Sequence, residues 1–106
     1  MPIYNAPLAD MKFILNDVFK AEQFWQANEK LAHVDAATAE AILEEMAKFA
    51  QNVTHPLNRT GDEEGARYEN GEVFTPAGFK DAFRQYAEGG WIGLGADEDR
   101  KSTRLN

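Results

Sequence analysis

Cysteine is absent from the 106 residues, which removes disulfide frameworks, thiolate metal sites and cysteine nucleophiles together. Serine occurs once, as Ser102 in a polar tail with no apolar neighbour to position it, so a serine hydrolase has no support. Histidine is nearly as scarce. His33 and His55 are the only two, and neither has a second ligand at the spacing of a metal-binding helix such as H-E-x-x-H, so both read as surface or boundary residues. No apolar run approaches the roughly 20 residues that cross a bilayer. The opening MPIYNAPLADMKFILND has neither a basic leader nor a long apolar stretch, which sets the expectation of a cytoplasmic setting. Positive charge is also in short supply: 11 Lys and Arg face 18 Asp and Glu, a net charge of -7. Such a surface repels phosphate backbones and anionic membranes, and no Lys and Arg stripe marks a nucleic-acid groove. The triplets Asn52-Val53-Thr54 and Asn58-Arg59-Thr60 match the glycosylation pattern, but without a secretion signal they read as coincidence.

What is present is helical periodicity. The length allows one domain with a small core. Pro7 suits the first turn of a helix, and Leu8, Met11, Ile14, Leu15 and Val18 follow at helical spacing, predicting a helix from Leu8 to Phe19. Residues 20–34 contain Phe24, Trp25 and Leu31 without a clean period and read as a loop or a short broken helix. Asp35 is an N-cap candidate for the strongest helix, in which Ala39, Ile42, Leu43, Met46, Phe49, Ala50 and Val53 recur at intervals of three and four. On its other face, Glu44 and Lys48 stand in the favourable i,i+4 order. Pro56 is expected to kink or end this helix, with residues 58–65 an exposed connection. Asn70-Gly71 between short stretches containing Tyr68, Val73 and Phe74 signals a two-residue hairpin. Thr75-Pro76 then predicts a cap and first turn for a third helix carrying Phe79, Ala82, Phe83 and Tyr86, stopped at Gly89-Gly90. The fold class is mainly α: three amphipathic helices with one short β-hairpin.

The remaining candidates for chemistry have plainer explanations. Asp62-Glu63-Glu64 and Asp97-Glu98-Asp99 lack the alternating ligands and central glycine of a calcium loop, so solvated charge is the better account. Gly89-Gly90-Trp91-Ile92-Gly93-Leu94-Gly95 follows a helix and has neither the G-x-G-x-x-G order nor a Walker lysine; it reads as a helix stop with a packed Trp. The stripe Phe79, Phe83, Tyr86 at helical spacing reads as core before it reads as a ligand pocket. Three helices and a hairpin nevertheless offer more apolar face than so short a chain buries against itself. That excess predicts marginal stability and binding of hydrophobic dyes.

Several words in order along the chain carry a resemblance. They are Tyr4 with Ala6-Pro7-Leu8 and Asp10, Pro56-Leu57-Asn58 with Gly61-Asp62 and Glu64-Gly65, Thr75-Pro76 with Gly78-Phe79, and Glu88-Gly89-Gly90-Trp91. Together they resemble the N-terminal region of acyl-CoA dehydrogenases with an N-terminal extension, the subgroup that includes enzymes similar to 3-methylmercaptopropionyl-CoA dehydrogenase. The resemblance implies that residues 1–98 are an N-terminal helical region, with 1–34 the extension and 35–98 the start of the helical domain. Residues 99–106 (DRKSTRLN) depart from the family pattern and look like one translated frame of a sequencing-library adapter.

For the complete parent, the resemblance implies α,β-dehydrogenation of an acyl-CoA thioester of the fatty-acid or methylthiopropanoyl type. It also implies FAD as cofactor, an electron-transfer flavoprotein as acceptor and a homo-oligomer. The family's flavin is held mainly by a middle β-domain and a C-terminal helical domain, and its carboxylate base comes from the C-terminal part. No catalytic, cofactor-binding or metal residue is therefore assigned here, and the fragment alone is expected to bind no FAD and to be inactive. The alternatives are a small free-standing helical protein-interaction module using Phe79, Phe83 and Tyr86, and an independent flavin or CoA carrier, which needs a pocket that three short helices do not easily enclose.

Overall fold

Asp35 behaves as its position predicts. Its extended backbone (φ -120°, ψ 174°) places the carboxylate to accept the Thr38 N–H at 2.7 Å, and α3 runs from there over Ala36–Phe49. In the computed structural model, which describes residues 3–95, the chain divides into two compact units, Met1–His55 and Pro56–Asn106. Both are built from short helices, and the one sheet among the described residues is a two-stranded hairpin. The mainly α class with a hairpin is what the structure shows. The last residues, with Ser102, Asp97-Glu98-Asp99 and the 99–106 stretch, lie outside the described residues.

In the first unit, α1 (Leu8–Phe13) passes directly into a π-helical turn at Ile14–Val18, so the expected span to Phe19 is helical nearly throughout. Lys20 breaks it by taking a left-handed conformation, φ 50°. The mixed stretch after it does hold a short helix, α2 (Ala21–Ala27). Asn28 then makes a side-chain turn by accepting the Lys30 N–H at 3.0 Å. Two side chains return the chain to α3: Gln26 Nε2 donates to the Val34 carbonyl at 3.0 Å, and Glu22 accepts the Ala36 N–H. The start of α3 is thus held by two carboxylates, Asp35 and Glu22, which suits both its unpaired N–H groups and the positive end of its dipole.

The second unit departs further from expectation. Pro56 does not end the helical conformation, and of the expected connection at 58–65 all but Gly65 is helical, because α4 spans His55–Glu64. The reason lies one turn earlier. Ala50–Thr54 form a π-helical turn in which the His55 N–H reaches back to the Ala50 carbonyl. Pro56 therefore falls in a first turn, where a missing N–H is tolerated. Arg59 and Glu63 add an i,i+4 pair at 2.8 Å. Gly61, one of the two glycines in the stretch expected to be an exposed connection, is buried, and a Cβ there would stand 2.5 Å from the Phe79 ring. It is a seat for an aromatic ring.

The hairpin follows as β1 (Arg67–Glu69) and β2 (Glu72–Phe74), antiparallel, with Arg67 opposite Phe74 and Glu69 opposite Glu72. Asn70 and Gly71 both have positive φ, 52° and 83°, the geometry that matches the twist of paired strands. Arg67 lies 4.9 Å over the Phe74 ring.

Thr75 does not cap the next helix, and Pro76 is not in its first turn. The chain instead makes a turn in which the Pro76 carbonyl accepts the Phe79 N–H at 3.2 Å and Glu64 accepts the Ala77 N–H at 2.9 Å. Gly78 stands at the N-cap of α5 (Phe79–Glu88) with φ 91°. A side chain at that position is strained and would press within 2.7 Å of Leu57. Helix α5 stops at Gly89 and Gly90 as expected, ahead of a 3₁₀ turn at Trp91–Gly93. The Trp91 indole packs over Gly89, where a Cβ would meet Nε1 at 2.8 Å.

Candidate functional site

The structure places both histidines and the first acidic run that the sequence singled out. His33 is exposed in the turn after α2. His55 is half-buried, its ring 6.0 Å from that of Tyr4 and tilted by 41°. Neither joins a metal constellation, since no group of three or more His, Asp or Glu side chains among the described residues could hold an ion. In the acidic run 62–64, Glu63 pairs with Arg59 and Glu64 accepts the Ala77 N–H. Two of its three carboxylates thus have local structural partners.

The densest polar group lies between α1, its π-helical turn and α3. Lys12 Nζ donates to Glu44 Oε1 at 2.9 Å, and Asn16 Nδ2 donates to Glu40 Oε1 at 3.1 Å. One helical turn apart on each helix, these contacts tie the two helices together. The hydrogen bond to Glu44 holds the Lys12 ammonium above its ordinary pKa, and the same bond holds the Glu44 carboxyl below its own. Lys48, expected to pair with Glu44, makes its close ion pair with Glu45 at 3.1 Å, while Glu44 holds Lys12. Further along, the Ala6 N–H donates to Gln51 Oε1 at 3.0 Å. These contacts hold structure. They present no nucleophile or base to a substrate.

Carboxylates at two helix starts are shifted for similar reasons. Asp35 lies below its ordinary pKa because it accepts the Thr38 N–H. Asp81 lies below because it accepts from Gln85 Nε2 at 2.8 Å and pairs with Arg84. Both are local helix contacts.

Much of the exposed surface in both units is apolar. Among the described residues the buried apolar side chains are the small ones Ala47, Pro76 and Ala82, and no large side chain is fully buried. In the first unit Phe19 is 69% exposed and Phe24 65%, with Phe13 and Val18 also exposed. In the second unit the α5 stripe is only partly core. Phe79 sits on Gly61 and Ala82 is buried, but Phe83 is 64% exposed. Tyr68 and Val73 of the hairpin are also exposed. Single exposed apolar residues are ordinary, but so many large ones in short helices leave the apolar faces without cover. Periodicity found Phe83 and assigned it to the core; its exposure, which depends on what packs beside α5, marks it as surface.

Comparison with known proteins supplies the missing context. No protein-family model matches the chain. It is 36% identical over 91 residues, 86% of its length, to a 3-methylmercaptopropionyl-CoA dehydrogenase from Ruegeria pomeroyi. The chain spans 15% of that relative's length. Over those 91 residues, the chain is similar to that enzyme.

Proposed function

We propose that this chain is the N-terminal helical part of a FAD-dependent acyl-CoA dehydrogenase. Residues 1–34 form an extension, residues 35–98 begin the helical domain, and residues 99–106 stand outside the family pattern. The observation that carries this reading is identity of 36% across 91 residues of a relative of which the chain spans 15%. The uncovered faces around Phe19, Phe24 and Phe83 support it, since helices that rest against further protein keep apolar residues there. The complete enzyme would oxidise an acyl-CoA thioester to its 2-enoyl form, pass hydride to FAD and deliver electrons to an electron-transfer flavoprotein, as a homo-oligomer.

The described residues do not fit the flavin itself. No polar or charged residue among them is buried, and no buried side-chain donor or acceptor lacks a partner, so nothing here is arranged to receive a pyrophosphate or a ring system. No chemical step is assigned to this stretch, whose role is that of a wall beside the site.

The test joins the chain to the sequence that continues its reading frame. The chain alone should show no saturable binding of FAD or of an acyl-CoA, and the extended protein should bind both. Turnover of a thioester by the chain alone, or continuation into unrelated sequence, would overturn the proposal. The exposed Phe83 favours one second reading, a free-standing module that docks a partner protein through α5. An intact gene encoding the same length of chain would support it.

A further inference from the structure

We infer that Asn70 is a site of spontaneous backbone rearrangement, converting to isoaspartate and thereby dismantling the hairpin that precedes α5. Of the seven asparagines, at positions 5, 16, 28, 52, 58, 70 and 106, only Asn70 precedes a glycine. The backbone nitrogen of Gly71 is the nucleophile and the Asn70 carboxamide carbon the electrophile, so a residue without a side chain next in line removes the steric barrier to their approach.

The surroundings leave both reacting groups unguarded. Asn70 and Gly71 are exposed, and no atom outside the immediate chain lies within 4 Å of where a Gly71 Cβ would stand. Among the described residues, neither the Asn70 carboxamide nor the Gly71 N–H has a hydrogen-bond partner. The Gly71 nitrogen loses its proton to solvent base and bonds to Asn70 Cγ, the Cγ–Nδ2 bond breaks, and ammonia leaves with a proton from water. Water then opens the five-membered imide at either carbonyl, giving aspartate or isoaspartate at position 70. No oxidant or cofactor is needed.

The consequence follows from the turn. A two-residue connection fixes the register that sets Glu69 opposite Glu72. Isoaspartate routes the main chain through an extra carbon and lengthens that connection. Either product also places a carboxylate between Glu69 and Glu72, two residues already of like charge. Each strand has three residues, so little pairing remains to resist.

The experiment incubates the chain in mildly alkaline buffer and follows two readouts. Peptide mapping with enzymatic isoaspartate labelling locates the modification, and hydrogen exchange reports amide protection over residues 67–74. Isoaspartate should accumulate at position 70 while Asn52 and Asn58 stay intact, with hairpin protection lost in the modified fraction. Asn70→Gln should abolish the labelling, and Asn70→Asp should separate the effect of charge from that of the lengthened chain. Retention of Asn70 under conditions that convert it in the urea-unfolded chain would overturn the inference, as would full hairpin protection in the isoaspartate form.

Discussion

The two units keep short helices in place by different means. In the first, long polar side chains reach between helices: Lys12 to Glu44, Asn16 to Glu40, Gln26 to the Val34 carbonyl, Glu22 to the Ala36 N–H. In the second, glycine opens a place for a bulkier partner, as Gly61 does for Phe79, Gly78 for Leu57 and Gly89 for Trp91. With only the small side chains Ala47, Pro76 and Ala82 buried among the described residues, neither unit has an interior of large residues. The contrast teaches that local order without a core can come from directional contacts or from close backbone approach. The two should fail differently under perturbation: polar ties respond to pH and salt, whereas a glycine seat responds to added volume.

Gly61→Ala should have the largest effect. The new methyl group displaces the Phe79 ring, and although alanine favours a helix, the overpacking should leave a net loss of about 1–2 kcal/mol in urea denaturation. Pairing it with Phe79→Leu should recover part of that loss; if Gly61→Ala alone stabilises the chain, the seat is not a packing constraint.

Next in size, Asp35→Ala should fray the first turn of α3, read as faster hydrogen exchange at Thr38 with α5 unaffected. Acidification should imitate it. Asp35 and Glu44 both lie below their ordinary pKa values in the folded chain. Their contributions are therefore complete above the unfolded carboxyl pKa values and are lost as pH falls through the lower folded ones. Lys12 runs the opposite way: its folded value is raised, so its contribution is present below the ordinary lysine pKa and lost as pH rises through the folded value. Monitoring α3 amides by NMR from neutral to acid pH checks the carboxylate sign, and fraying that begins on the alkaline side would refute it.

Glu44→Gln should loosen α1 slightly, and the change should shrink as salt is added, because an exposed pair is screened. A salt-independent loss would mean that apolar packing, and not the Lys12 tie, holds α1. The smallest effect belongs to Phe83→Ser. Stability should move by less than about 0.5 kcal/mol, while binding of a hydrophobic dye falls. A large loss of stability would place Phe83 in a core.

Legibility followed the range of the contacts. Asp35 as a cap, the Asn70-Gly71 turn and the stop at Gly89-Gly90 depend on residues a few positions apart, and all three stand where the spacing put them. Pro56 and Gly61 misled for a shared reason. Each is a helix breaker judged alone, yet a π-helical turn before Pro56 and the Phe79 ring over Gly61 change what each position needs. The Thr75 cap failed because Gly78 and the Glu64 contact with Ala77 set the start of α5 later.

The linear order of residues determined the helical class, the hairpin turn, the acidic surface and the family likeness, because each rests on local periodicity, local turn chemistry or identity along the chain. Tertiary structure alone decided that Glu44 bonds to Lys12, that Gly61 seats a ring, and that Phe19, Phe24 and Phe83 remain in water. Those outcomes depend on which elements meet, and an amphipathic pattern specifies a face to be covered without specifying what covers it.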